Sequence, residues 1–266
     1  MTPILLTPTD LALAGLLILV DGALSLALGL QLHRQIAVAA VRLVVQLLLV
    51  GYVLRFVFAI GSPALTLLIV LLMTAVAARE VGARTERRLT RFGNYIVAGA
   101  VVSAATAVTV ALALTTAIQP HPWWNPHYAI PLAGIILGSV LNAGSLALDG
   151  MLEGVTRERL AIEAQLALGE TYRRAMRPMI RAAARRGLVP IINQMSAAGI
   201  ITLPGIMTGQ ILTGMDPLEA VKYQILLMFL LAGSSGLTAV GIAFLAAWRL
   251  TDARQRLRLD RLSERG

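Results

Sequence analysis

The sequence predicts an all-α, polytopic membrane protein of about seven spans. Three observations carry that expectation: the chain is too apolar to cover a soluble domain, its apolar residues gather in runs long enough to cross a bilayer, and its positive charge is confined to alternate gaps between those runs. Of 266 residues, 57% are hydrophobic and 14% charged, with a mean hydropathy of +0.76. A soluble domain carries about 25% charged residues, so the bilayer is the solvent here. Crossing a hydrocarbon core of about 30 Å takes roughly 20 apolar residues in a helix. Unbroken Leu, Ala and Val runs, without the short alternating segments of a β-barrel, favour helices, in which every backbone group is satisfied within its own segment.

The runs lie at about 9 to 31, 36 to 58, 63 to 79, 95 to 118, 128 to 148, 189 to 213 and 219 to 248. The first has no basic stretch before it and no small-residue cleavage site after it, which favours a retained span over a signal peptide. It carries Asp21, and the second carries Arg42 and Gln46. With the turn near His33, a 1.5 Å rise puts Asp21 about 18 Å and Arg42 about 13 Å from it. Charges inside a membrane mark a pathway or a structural pair, and an Asp21 to Arg42 ion pair is expected. Between the fourth and fifth runs, Trp123, Trp124 and Tyr128 suit an interfacial aromatic belt, with Pro120, Pro122 and Pro126 stopping any helix. His121 and His127 belong to the same interface, with no other ligand type beside them.

Twenty of the 23 Lys and Arg residues fall into four places: Arg34; the stretch from Arg79 to Arg91; the arginines from Arg157 to Arg186; and those from Arg249 to Arg265. Arg42, Arg55 and Lys222 lie within spans. The positive-inside rule then sets the N-terminus outside and the C-terminus in the cytoplasm, as an odd number of spans requires. Charge so placed follows membrane topology, and the net +9 is not read as a nucleic-acid surface. The chain has no cysteine, which excludes disulfides and thiolate metal sites.

One membrane domain therefore fills residues 1 to 266, with a non-membrane segment at about 149 to 187 and a basic cytoplasmic tail at 249 to 266. The segment is too short for an independent core and is expected to form two short helices. Leu160, Ala164, Ala167 and Leu168 share one helical face, opposed by Arg157, Glu158, Glu163 and Gln165; Gly169 ends or bends the helix, and Thr171 suits the cap of the next. Such a helix serves either as a lever docked into another protein's groove or as an interfacial helix on anionic lipid. The residues alone allow both.

The run from Glu163 to Gly169, EAQLALG, continuing through Arg185-Arg186-Gly187-Leu188-Val189-Pro190, resembles the E-A-A…G…L-x-P cytoplasmic loop of ABC transporter permeases. Further stretches narrow the likeness: Arg42 to Gln46 with Gly51 to Leu54, Ile130 to Gly134, Leu203 to Gly209, and Asp216-Pro217 followed by Ala220 to Ile225. Together, from about residue 36 to 248, they resemble permeases of the FetB type. That family includes bacterial subunits associated with iron export and plant subunits associated with aluminium tolerance. Glu170 and Ser139 depart from it, at positions where a small residue and an Asn are expected. The resemblance implies contact with a separate ATPase through Glu163, Ala164, Leu168, Gly169 and Thr171, two copies of the chain, and export of a metal ion across the inner membrane.

A P-loop needs a Gly-rich turn ending in Gly-Lys-Ser/Thr. The only lysine is Lys222, followed by Tyr223, so ATP and Mg are expected in the partner subunit and no cofactor in this chain. Neither an HExxH zinc motif nor a Ser/His/Asp order suggests a membrane enzyme. The sixth run is the expected pathway: Pro190, Pro204 and Gly205 interrupt its ladder, while Asn193, Gln194, Met195, Ser196, Thr202, Met207, Thr208 and Gln210 offer polar or thioether groups. No closed metal-ligand set emerges, and an organic solute or a non-transporting scaffold remains as an alternative. Gly134-x-x-x-Gly138 and Gly205-x-x-x-Gly209 are candidates for close helix packing, within the chain or between copies.

Overall fold

The computed structural model describes residues 7–90, 92–252 and 254–264. Arg91 and Arg265, counted above with the basic stretches, lie outside them, as do residues 1–6. Helix α1 (Pro8–Ala27) opens at Thr7, whose N–H and hydroxyl both donate to the Asp10 carboxylate, at 2.8 and 2.6 Å. Its turn into α2 (His33–Ile60) is closed by the Leu32 N–H, which donates to Ser25 Oγ at 2.9 Å. Gly61, at φ +61°, ends α2, and Pro63 opens α3 (Pro63–Ala83). Helix α4 (Gly93–Leu112) passes into a π-helical segment, Ala113–Ile118.

Helix α5 (Pro126–Arg157) starts where the Asn125 side chain accepts from the His127 N–H at 3.0 Å, and Pro131 in its first turns does not end it. Then come α6 (Arg159–Ala167), α7 (Tyr172–Ala197), α8 (Gly205–Leu212) and α9 (Pro217–Arg249), the last capped by Asp216 accepting from the Leu218 and Glu219 N–H groups. One small antiparallel sheet pairs β1 (Arg87–Leu89) with β2 (Leu262–Glu264).

Six of the expected crossings are single helices long and apolar enough to span: α1, α2, α3, α4 with its π-helical extension, α5 and α9. The crossing expected at 189 to 213 is divided. Its first part is the end of α7, which runs through Pro178 and Pro190 without breaking; its second is α8; residues 198–204 between them are non-helical. Pro190 therefore does not interrupt the helix as expected, whereas the expected interruption at Pro204 and Gly205 is found: the break runs from Ala198 to Pro204 and α8 begins at Gly205. The segment at 149 to 187 also differs from two short helices. Helix α5 extends to Arg157 and α7 begins at Tyr172, so α6 is a short helix held between two long ones.

Helix α5 is the hub, packing on α3, α4, α7 and α9. Ile136, Leu148, Met151 and Leu152 on α5 and Ile242 on α9 are fully buried. The tightest contact between helices is at Gly187 on α7, where an added Cβ would lie 2.7 Å from the Ala143 carbonyl oxygen on α5 and 2.8 Å from Ala239 Cβ on α9. Three helices can meet there only without a side chain. The other expected glycine pairs behave differently. Gly134 lies against Met73, whereas Gly138, Gly205 and Gly209 face open space, so the latter do no packing within this chain.

Helices α1 and α2 form an arm outside this bundle, their apolar faces almost wholly exposed. In a bilayer such surface is as well solvated by acyl chains as by protein. The arm joins the bundle through buried Val57, through Phe58 stacked on His127 at 4.1 Å, and through Arg42, whose guanidinium lies 3.5 Å from Glu80 on α3. The expected Asp21 to Arg42 pair does not form: α3 brings Glu80 to Arg42 from the neighbouring span, and sequence distance within the hairpin did not reveal that competitor.

All the described basic stretches except Arg34 lie on surfaces tied together at one end of the bundle. The α3–α4 turn there is built on Asn94, buried to 2% exposure, which accepts from the Leu89 N–H at 2.9 Å and donates to Thr85 Oγ1 at 2.7 Å.

Replacing Gly187 with Ala is expected to lower the melting temperature of the detergent-purified protein. Ala gains about 1 kcal/mol of helix propensity over Gly, but overpacking against a backbone oxygen costs about 1–3 kcal/mol. Gly138→Ala, in open space, is the control and is expected to be neutral or stabilising. A Gly187→Ala protein as stable as its parent would mean that the three helices have room to spare.

Candidate functional site

At the basic end, α6 turns its Ile162 inward, to 2% exposure, and its other face outward. Leu160 and Leu168 are 69% and 86% exposed, with Glu163 and Ala164 exposed between them. Spacings of three and four align these residues along one stripe of the helix. The helix ends in a left-handed turn: Gly169 has φ +88°, its N–H donates to Leu166 O at 3.1 Å, and the Glu170 N–H donates to Gln165 O at 3.0 Å. Thr171 occupies the cap position of α7, but its side chain makes no capping hydrogen bond.

The tail folds back onto this segment. Gln255 Oε1 accepts from the Tyr172 N–H at 3.0 Å, and the Tyr172 hydroxyl donates to Ala247 O at 2.9 Å. Burial pushes the Tyr172 phenol well above its ordinary range. Asp252 organises the tail by accepting from the Arg254 and Arg256 N–H groups, at 2.9 and 3.0 Å, and from Arg256 Nε at 2.9 Å. The Arg256 backbone bond, followed by the side-chain and Arg254 bonds, holds its carboxyl down at about 2 against burial. The α6–α7 junction, the end of α9 and the α3–α4 turn are thereby one connected surface.

Deeper in the bundle, α5, α7 and α9 line a half-open cavity of about 200 Å³ at Gly187. Its polar lining is Ser139, Asn142, Gln194 and Ser235, with the Ser139 and Ser235 hydroxyls 2.7 Å apart. From there α7 continues with Asn193, Met195 and Ser196 exposed, then breaks. Since Gly187 abuts Ala239, Ala197 sits near the level of residue 229 on α9, roughly 18 Å short of that helix's first turn at 1.5 Å per residue. The break thus lies alongside α9, within the length of that apolar helix.

A family model described as an uncharacterised protein family, UPF0014, matches residues 8–250. The chain belongs to the UPF0014 family. Its relatives include a probable iron export permease protein, FetB, of Escherichia coli K12, 31% identical over 98% of both chains. The membrane protein STAR2 of rice is 35% identical over 87% of this chain and 81% of its own. The protein ALUMINUM SENSITIVE 3 of Arabidopsis thaliana is 30% identical over 88% of this chain and 84% of its own. No solved structure matches. This UPF0014 chain is a multi-pass membrane protein.

Its expected site residues divide into two groups in space. Glu163, Ala164, Leu168, Gly169 and Thr171 gather on one exposed surface at the basic end. Asn193 and Met195 close α7, Thr202 and Pro204 lie in the break, and Gly205, Met207, Thr208 and Gln210 lie on α8. None of those eight lines the cavity. The groups that do were legible only in part: Ser139 and Asn142 are three apart on one face of α5, but Gln194 and Ser235 join them from helices 52 and 93 residues further on in the chain. Gln210 Oε1 and Gln224 Oε1 are buried without a partner.

Because the Asp252 carboxyl is lowered from 3.8 to about 2, its contribution to tail docking is complete above pH 3.8 and is lost as the pH falls through about 2. Asp252→Asn is expected to mimic the low-pH state at neutral pH, with faster tryptic cleavage at Arg254 and Arg256. Cleavage unchanged from the parent would place the tail's anchorage elsewhere.

Proposed function

We propose that this chain is the membrane-spanning subunit of an ATP-driven ABC transporter that exports metal ions from the cytoplasm, working as a homodimer with a separate ATPase subunit. The observation that carries the reading is the α6 surface: a short helix displaying Leu160, Ala164 and Leu168, closed by the left-handed Gly169, on the arginine-rich end of the bundle. The positive-inside rule assigns that end to the cytoplasm, where an ATPase is found. The FetB relative, aligned over nearly the whole of both chains, supplies the cargo class.

In this mechanism the ATPase pair holds ATP and Mg, closes on binding them, and moves α6. Because α6 is clamped between the ends of α5 and α7, its displacement is passed to the α5–α7–α9 contact at Gly187 and from there to the cavity. Two arrangements of the spans, each favoured by a different nucleotide state, give alternating access. The exposed Asn193 and Ser196 face of α7 is costly against lipid and suits a water-lined seam with a second copy. Broken helices at membrane depth are tolerated where they line such a cavity. The bacterial relative and the charge pattern support residence in the cell inner membrane.

A second reading has its own support. The cavity offers hydroxyl and amide groups, and among the described residues no group of three or more His, Asp or Glu stands together. Such a lining suits an uncharged or already complexed organic solute better than a bare metal ion.

The deciding assay is ATP hydrolysis by the co-purified ATPase in lipid, with and without this chain, across divalent and trivalent metals. Stimulation by one metal, abolished in Leu168→Asp or Gly169→Val, is the expected result. Burial of a Leu contributes about 1.5–3 kcal/mol, so Leu168→Asp is expected to weaken association about tenfold or more. Stable association with a rate indifferent to metal would favour the organic cargo, and no association would end the transporter reading.

A further inference from the structure

A second cavity, of about 400 Å³, lies at the basic end between the start of α4 and the end of α9. Arg249, Arg258, Asp260 and Arg261 line it, with Leu89, Thr90 and Gly93 on the opposite side. The charges do not cancel. Arg258 is engaged by Asp260 through two bonds of 2.8 Å, with Asp252 3.7 Å away. Arg261 spends its Nη1 on the carbonyls of Arg249 and Thr251, at 2.7 and 3.0 Å, which are neutral acceptors. Arg249 has only the Trp248 ring, 6.0 Å away. Among the described residues, then, three guanidinium groups line a cavity with one carboxylate, Asp260, which is hydrogen-bonded to Arg258 and feels Arg261 only at longer range, leaving a net positive charge.

The surroundings say what kind of anion fits. Helices α4 and α9 are both long and apolar enough to span, and the cavity lies between the first residue of one and the last of the other, among basic residues; span ends rich in arginine belong at the level of the lipid headgroups. Phe92 and Trp248, beside Gly93 and Arg249, are 77% and 64% exposed. Exposed aromatic rings at that level pack on the glycerol and upper acyl region, where one side is apolar and the other wet. Guanidinium binds phosphate oxygens in paired, charge-assisted hydrogen bonds, and basic pockets between spans on the cytoplasmic side hold anionic headgroups.

We propose that this cavity binds the phosphate of an anionic phospholipid, such as phosphatidylglycerol, with Arg249 and Arg261 as the charge partners and with Phe92 and Trp248 against its glycerol and upper chains. The lipid would bridge α4, α9 and the tail without touching the α6 surface, so the proposal stands whether or not the chain is a transporter.

The test is native mass spectrometry of the full-length protein, delipidated and then titrated with phosphatidylglycerol or phosphatidylcholine. Preferential retention of phosphatidylglycerol is expected. One arginine near a lipid surface accounts for about a fivefold change in affinity, so Arg249→Gln should reduce that retention about fivefold, Arg249→Lys much less, and Arg254→Gln, outside the cavity, not at all. Equal retention of both lipids, or phosphatidylglycerol binding undiminished in Arg249→Gln, overturns the proposal. If Arg249→Gln does not fold, the comparison of the two lipids on the unaltered protein decides. Inorganic phosphate and glycerol 3-phosphate form the last arm: displacement of phosphatidylglycerol by either at comparable concentration would mean a soluble phosphate site and defeat the lipid assignment.

Discussion

The rest of the structure depends on the absence of a side chain at Gly187. Where α7 crosses α5 and α9, the backbone of one helix lies against the Ala143 carbonyl of another and the Ala239 methyl of the third. In a membrane there is no hydrophobic drive to bring apolar helices together, and close van der Waals packing of small residues supplies the attraction. Ala143, Ala147, Ala183, Ala239 and Ala243 are all buried around this crossing. The contact lets a helix as basic as α7, with Arg173, Arg174, Arg177, Arg181, Arg185 and Arg186 in its first fifteen residues, enter the bundle at all.

That crossing also positions the two surfaces that concern function. On one side of it α7 leads to the polar cavity and then to the break at Ala198; on the other it leads to Tyr172 and the exposed end of α6. A packed helix pair responds to displacement by sliding or rocking as a unit, and α7 runs as one continuous helix from the α6 surface at the basic end to the polar cavity. The chain is discontinuous only beyond the cavity, so movement at α6 reaches it before the break can absorb it.

The basic end is more ordered than a cluster of arginines would suggest. Self-repulsion is relieved by short-range carboxylate partners, Asp252 with Arg256 and Arg258, and Asp260 with Arg258, and by the strand pair that returns the tail to the α3–α4 turn. These contacts are exposed and individually weak; their effect is to shape a surface that keeps a net positive charge around Arg249 and Arg261.

Much of this was readable from the chain itself. Six spans, the uncharged outer loop with Trp123 and Trp124, the amphipathic α6 and the turn at Gly169 all follow from local properties: apolar run length, proline and glycine placement, and a periodicity of 3.6. Where several elements had to meet, the residues alone were insufficient. Arg42 had an acid nearby in sequence, Asp21, but its partner is Glu80, supplied by another span. Pro190 looked like a break and is not one, because a long helix held by neighbours tolerates a missing hydrogen bond, while Ala198 to Pro204, with less packing around it, gives way. The tail read only as a basic segment, and its described residues fold back onto the α3–α4 turn and Tyr172. The sequence by itself therefore determined the solvent, the spans and the short amphipathic helix α6, because those depend on each segment's own free energy in lipid or water. Only the tertiary structure decided which charges pair, where the crossing opens and which four polar groups share a cavity, because those depend on residues far apart in the chain being brought within a few ångströms.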